Sequence, residues 1–242
     1  MYNIDLNCDM GEGTGNDALL MPYISSCSIA CGGHYGTKLS MARTMTLAKE
    51  QGVNVGPHPS YPDLINFGRK SMHLSMLTLQ DALRKQLDSF FSICTDARHI
   101  KPHGALYNDL FFDREKAEAV VAVFSEYVKG IRIYCSPNSQ LALVAEQNGF
   151  LIGLEAFADR AYNSNGTLVT RAEKNAILTD KQRIAQQVIQ LVKTGTVTAT
   201  SGEKIPIKAQ TICLHSDGIN VLENTVFLLN SLKQNAIRVK GL

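Results

Sequence analysis

Two rhythms of apolar and polar positions alternate along the chain. Short runs rich in apolar and β-branched residues recur at 3–8, 26–31, 53–57, 99–102, 131–135, 150–156 and 211–214. Each has the length and composition of a buried strand. Between them lie stretches with helical period, such as Leu79, Leu83, Leu87 and Phe90; Ala117, Val120, Val121 and Phe124; and Ile184, Val188, Leu191 and Val192. Thr78, Asp113, Asn138 and Thr179 stand where N-caps are expected. Strands alternating with helices of this length predict βαβ units around a parallel sheet. Two stretches leave the rhythm: a polar loop at 158–171, and 196–208, which reads as a hairpin. Both are expected near the mouth of the fold.

The residues just past each strand carry the chemistry. They are Asp9 with Glu12, His34, His58, His103, the Ser136-Pro-Asn138 turn, Asp159 with Arg160, and His215 with Asp217. In a closed parallel barrel all such ends open on one face, where barrel enzymes place their sites. An open doubly wound sheet would gather only the ends near its switch point. The prediction is therefore a single distorted (β/α) barrel of about seven strands spanning 1–242.

Composition narrows the class. At 45 % hydrophobic and 19 % charged residues, disorder and coiled coil are poor fits. A net charge of +2 supplies no broad positive field for nucleic acid or a membrane surface. Six cysteines without a C-x-x-C pair, and an N-terminus without a basic and apolar leader pattern, point to a reducing cytoplasmic setting.

On the first strand, Asp5, Asn7 and Asp9 alternate with Leu6 and Cys8, so three polar groups face one side. Inside a barrel they must bond one another or a ligand, because an unpaired buried polar group costs roughly 1–3 kcal/mol. The following glycines lack dinucleotide-fingerprint spacing, and no nucleotide-triphosphate loop occurs. Cys27, Cys31 and His34 have metal-like spacing but no fourth partner, so His34 is read as a site residue, its flanking glycines admitting a ligand. Pro57, Pro59 and Pro62 stiffen the loop around His58, as a positioned acid or base needs. Lys101 lies two residues before His103, so its ammonium is expected to keep that imidazole neutral. Arg160 is read as an anion clamp or the partner of Asp159; His215 as an imidazole oriented by Asp217, although Asp217 would serve equally as an N-cap; His73 and His99 as surface or packing residues.

Eight segments in order carry a resemblance: DLNCDMGE (5–12), ACGGH (30–34), GPHPSYPD (56–63), FGR (67–69), KPHGALYN (101–108), EAFADRAY (155–162), LVTR (168–171) and CLHSD (213–217). Together they resemble the lactam-utilisation (LamB/YcsF) family, known as the A subunit of 5-oxoprolinase, over nearly the full chain. Gly33, Tyr35, Pro57, Asn66 and Ser216 are small departures. The resemblance implies a barrel of the glycoside hydrolase and deacetylase kind. It also implies hydrolytic opening of the 5-oxo-L-proline lactam to L-glutamate, coupled to ATP hydrolysis, with the partner B and C subunits handling ATP. On that reading His58 or His103 is the general base, Asp9 or Glu12 orients it, and His215 with Asp217 protonates the ring nitrogen. Lys101 and Arg160 hold the substrate carboxylate and leaving phosphate, and Asn7, His34, Glu155 and Asp159 complete the binding set.

Two rivals stand beside it. Asp9 with His34, His58 or His103 has the make-up of a divalent-metal site, as in a metal-dependent deacetylase-like hydrolase. A non-catalytic subunit that binds 5-oxoproline and docks on its partners is the other.

Overall fold

The computed structural model describes residues 1–127 and 130–242. Ten strands form in chain order: β1 (Tyr2–Met10), β2 (Ser26–Ala30), β3 (Asn54–His58), β4 (His99–Ile100), β5 (Arg132–Cys135), β6 (Leu151–Phe157), β7 (Thr196–Thr198), β8 (Lys204–Pro206), β9 (Thr211–Cys213) and β10 (Ile237–Val239). Among the described residues eight α-helices accompany them: α1 (Asp17–Leu20), α2 (Lys38–Gln51), α3 (Met76–Phe91), α4 (Gly104–Asp109), α5 (Arg114–Tyr127), α6 (Gln140–Gln147), α7 (Lys181–Thr194) and α8 (Val221–Gln234).

Seven parallel strands run in the order β3-β2-β1-β9-β6-β5-β4, matching the seven expected runs. The ends of this sheet meet, because Lys101 and His103 donate their backbone N–H groups to the carbonyls of Pro57 and Pro59 at 3.1 and 2.8 Å. The seam is one-sided, since neither proline has an N–H to return. β10 pairs in parallel with the start of β1, at the end of the barrel away from the mouth; three residues gave too short a run to read as a strand. β7 and β8 form the expected antiparallel hairpin. Its turn hydrogen-bonds the polar loop, Thr200 N–H to the Tyr162 carbonyl at 2.9 Å, so it backs the loop instead of covering the mouth.

Alternation on β1 explains where the core sits. Leu6, Cys8 and Met10 point outward and join α7 and α8 residues such as Ile184, Val188 and Leu228 in one buried apolar cluster. Leu79, Leu83, Leu87, Val120, Phe124 and Leu141 form a second under β4 and β5. Burial of each such side chain contributes about 1.5–3 kcal/mol. The six cysteines are free and buried. Helix starts fall close to the expected caps. Asp113 accepts from Lys116 N–H at 2.9 Å, but Ser75, Ser139 and Asp180 cap α3, α6 and α7. Thr78 lies inside the first turn, Asn138 is held at φ 62° by the preceding turn, and Thr179 is one residue early. No helix among the described residues is long and apolar enough to cross a membrane.

Because α3 packs through one apolar stripe, Leu83→Ala should destabilise the chain by about 2–5 kcal/mol in urea unfolding. Ile65→Ala, at a position 95 % exposed, should change it by less than about 0.5 kcal/mol.

Candidate active site

Inside the ring the side chains are polar, and they form one connected network. At the base, Asp5 accepts from Ser25 and Ser26 at 2.7 Å each, from Tyr134 at 3.1 Å and from Thr211. One level up, Asn7 donates to Glu155 Oε1 at 2.9 Å and Thr211 Oγ1 at 2.6 Å. Above it lies Lys101, 2 % exposed. Its Nζ meets Asp9 Oδ1 at 2.8 Å, Glu155 Oε1 at 2.9 Å, Asn7 Oδ1 at 3.2 Å and Cys213 Sγ at 3.2 Å. Burial disfavours the ammonium, but Asp9 foremost among its neighbours holds it well above the ordinary lysine range. In the same pair, burial raises the Asp9 carboxyl while the fields of His58 and Lys101 outweigh that and hold it well below the usual carboxylate range. Lys101 therefore has more acceptors than N–H groups and none free for a substrate.

His58 and His103 sit at the mouth of the seam. In a regular parallel ladder the Lys101 carbonyl would accept from the N–H of residue 59. Pro59 has none, and His58 Nδ1 donates to that carbonyl instead at 2.8 Å. His103 Nε2 donates to the Phe67 carbonyl at 3.0 Å, which is turned inward because Phe67 and Gly68 both have left-handed backbone, φ 55° and 62°. A Cβ on Gly68 would come within 2.9 Å of His34 and 3.0 Å of His103, so glycine is required there. The remaining nitrogens, His58 Nε2 and His103 Nδ1, face each other at 2.9 Å. Both would be lone pairs if both rings were neutral, so the gap needs a proton or a metal ion. Burial and then the neighbouring imidazoles His34 and His58 hold His103 well below the usual histidine range. Asp9 Oδ2, 3.3 Å from His58 Nε2, is the counter-charge for a cation in this gap.

Glu12 completes this side. Its Oε1 meets His34 Nε2 at 2.8 Å and lies 3.4 Å from His103 Nδ1, while Oε2 has no hydrogen-bond partner among the described residues. Burial, then the Asp9 charge, raises the Glu12 carboxyl to about 7. The His34 ring stacks on His103 at 3.6 Å, and burial pushes it down to about 3. Across the mouth, His215 Nδ1 lies 2.9 and 3.0 Å from the two Asp159 oxygens.

One cavity of about 730 Å³ is lined by Asp9, Glu12, His58, Lys101, His103, Arg160 and His215. His58, His103 and His215 thus share one cavity, and Asp217 is not among its lining residues. Asn7, His34, Glu155 and Asp159 stand behind this wall as partners of lining residues.

The LamB/YcsF family profile matches residues 4–242. The chain belongs to the LamB/YcsF family. It is 40 % identical to the A subunit of 5-oxoprolinase from Pyrococcus abyssi over 98 % of this chain and 96 % of that one. It superposes on the lactam utilization protein of Thermus thermophilus with a TM-score of 0.91 and 32 % identity, covering 99 % and 100 % of the two chains. A family 4 carbohydrate esterase from Streptomyces lividans shares the fold alone, with a TM-score of 0.50 and 12 % identity over 100 % and 92 %.

Several expectations are corrected in this LamB/YcsF chain. Asp159 holds His215, whereas Asp217 pairs with Arg69 and with Arg171; neighbours in sequence point apart at the strand end. Arg160 makes no ion pair with Asp159. It donates to the carbonyls of Ala176 and Val169 and so braces the polar loop, with Nη1 free of protein partners among the described residues. Burial lowers its guanidinium to about 10. Gly33 makes room for Gln86 and Ser60, whose atoms would lie 2.2 and 2.3 Å from a Cβ, and not for a ligand. The Lys101 field acts on His99, which burial and then Lys101 push down to about 3, whereas burial and the neighbouring imidazoles lead at His103. His99 stacks on Tyr134 at 4.2 Å and bonds Ser28, a packing role. Unassigned by the sequence reading were Arg69 and Arg171; their signal was present in the FGR and LVTR segments.

Among the described residues, Asp9, His58 and His103 group their ligand atoms within 4.8 Å, as do Glu12, His34 and His103, and Asp9, Cys213 and His215. The first set fits a divalent ion best, because both histidines already have the other nitrogen fixed by a backbone carbonyl. Cys27 and Cys31 are absent from all three.

Lys101→Met leaves Glu155 buried without a counter-charge and takes one of two cations from beside Asp9, and should cost about 3–5 kcal/mol in chemical unfolding. Glu12 retains a proton in the folded chain above its unfolded value of about 4.5. The stability it contributes is therefore full below that value and lost as pH rises through about 7. Unfolding curves at pH 5 and pH 8 should show wild type losing stability relative to Glu12→Gln.

Proposed function

We propose that the chain is the ring-opening subunit of an ATP-dependent 5-oxoprolinase, hydrolysing the lactam of 5-oxo-L-proline to L-glutamate while the partner B and C subunits bind and cleave ATP. The relatives' name supports this assignment, and one observation carries the chemistry. A buried carboxyl with a free oxygen, Glu12, lines the same cavity as a second carboxylate–imidazole pair, Asp159–His215. Such a pair of sites in one cavity suits a reaction that takes a proton from water and gives one to a departing nitrogen.

Glu12 Oε2 accepts the proton of the attacking water as its oxygen bonds the lactam carbonyl carbon. This moves the base role away from His58 and His103, whose facing nitrogens are engaged with each other. Charge develops on the oxygens of the tetrahedral carbon, and the cationic His58–His103 pair stabilises it. The ring C–N bond then breaks, and the His215 imidazolium, supported by Asp159, protonates the nitrogen. Arg160 Nη1 is the free donor for the substrate carboxylate. An amide that closes a five-membered ring resists hydrolysis, so the partners first transfer the terminal phosphoryl group of ATP to the lactam oxygen; C–N cleavage then gives an acyl phosphate, which a second water splits into L-glutamate and inorganic phosphate.

The facing nitrogens also support a second reading. Asp9, His58 and His103 would hold a divalent ion, which would supply Lewis-acid polarisation of the carbonyl oxygen in place of the shared proton. Elemental analysis of the purified chain decides between the two: stoichiometric metal, with ring opening lost on chelation and restored by the ion, selects the metal reading.

With partners present, glutamate should form from 5-oxo-L-proline only when ATP is added. Glu12→Gln should lower that rate about 10²–10⁴-fold. Glutamate formation by this chain alone without ATP would contradict the division of labour, and unchanged turnover in both Glu12→Gln and His215→Asn would mark the chain as a scaffold.

A further inference from the structure

The ring-opening chemistry leaves the exposed cationic side of the cavity, Arg69, Lys70 and Arg171, without a task. A volume of about 730 Å³ is in the range that holds drug-sized ligands, far more than a five-membered lactam with one carboxylate fills. The carboxylates in the lining, Asp9 and Glu12, lie at the floor. Apart from histidine, the charged lining groups that are exposed or half-buried, Arg69, Lys70 and Arg171, are all cationic.

Arg69 and Arg171 come from different loops, after β3 and β6, yet share one carboxylate. Arg69 Nη2 pairs with Asp217 Oδ2, and Arg171 Nη1 lies 3.4 Å from the same oxygen. Asp217 stands on a third loop, after β9. The Arg69 guanidinium is also fixed over the Phe67 ring at 4.8 Å, and the Phe67 carbonyl bonds His103. Two guanidiniums are thus held side by side next to the reaction centre by a single, partly exposed oxygen anion. Arrangements of this kind bind phosphoryl groups, whose several oxygens satisfy both forks at once.

We propose that Arg69 and Arg171 form a phosphoryl-binding subsite, with Asp217 as the resting counter-ion that the incoming phosphate displaces. The subsite takes the phosphate of a lactam that arrives already phosphorylated. Its identity as a substrate phosphate rests on the ring-opening reading. The Asp217 carboxylate, which the sequence pattern linked to His215, is on this account a placeholder for that anion. Arg160 remains for the substrate carboxylate.

The purified full-length chain, without ATP or lactam, is titrated with inorganic phosphate and binding is followed by ³¹P line broadening and equilibrium dialysis. Wild type should bind. Arg69→Gln and Arg171→Gln should each weaken binding roughly tenfold or more. Asp217→Asn should tighten it several-fold, the opposite of what loss of a merely structural latch would give. Absence of phosphate binding in both wild type and Asp217→Asn, or binding indifferent to the arginine changes, overturns the subsite. Displacement of bound phosphate by 5-oxo-L-proline in wild type but not in Arg69→Gln also overturns it, making the arginines the carboxylate clamp. Ring opening by the assembled complex is read separately: intact turnover without phosphate binding removes the subsite alone, and phosphate binding without turnover removes the enzyme reading alone.

Discussion

Two imidazole nitrogens facing each other at 2.9 Å set the terms for the rest of the site. Each ring has its other nitrogen committed to a backbone carbonyl, so neither can rotate its tautomer to relieve the contact. The commitments come from the chain itself: Pro59 leaves the Lys101 carbonyl without its ladder donor, and the left-handed turn at Phe67 and Gly68 aims a second carbonyl at His103. A cation in the gap is the remaining solution. Asp9 is placed to compensate it, and Lys101 is needed to keep Asp9 ionised.

This arrangement moves the hydrophobic work elsewhere. A barrel interior filled by branched apolar side chains would be a packed core; here the inward positions of β1 are Asp5, Asn7 and Asp9, and the apolar clusters lie between strands and helices. Buried charge is tolerated because it is paired at each level. Asp5 has four hydroxyl donors, and Lys101 has two carboxylates. The same network ties β1, β4, β6 and β9 together at the height of the mouth, so rigidity of the ring and electrostatics of the site share residues.

Much of this was legible in the sequence where the signal is local. The seven strands follow from short apolar runs, and the position of His34, His58, His103 and His215 just past strand ends places them at one mouth once the sheet closes. What failed was pairing across space. His215 and Asp217 are two residues apart in the loop after β9, but their side chains diverge, and the carboxylate that reaches His215 comes from the loop after β6. Lys101 and His103 both follow β4, yet Lys101 faces Asp9 and Glu155 in the ring, and its field is a leading cause at His99 instead. Gly33 looked like room for a ligand and proved to be room for Gln86. The Phe67 carbonyl, Pro59 as a missing donor and the Arg69–Asp217–Arg171 bridge involve backbone or three separate loops, which no periodicity encodes.

The cation between His58 and His103 is the claim on which the chemistry of the mouth depends. Nitrogen-15 NMR of the chain labelled at histidine, recorded before and after chelation, tests it directly. The account predicts protonated His58 Nδ1 and protonated His103 Nε2. It also predicts one further proton shared by the facing nitrogens after chelation, or a metal-coordination shift at both before it. Two neutral rings with the facing nitrogens both bare, or a His58 ring with Nδ1 unprotonated, would contradict it.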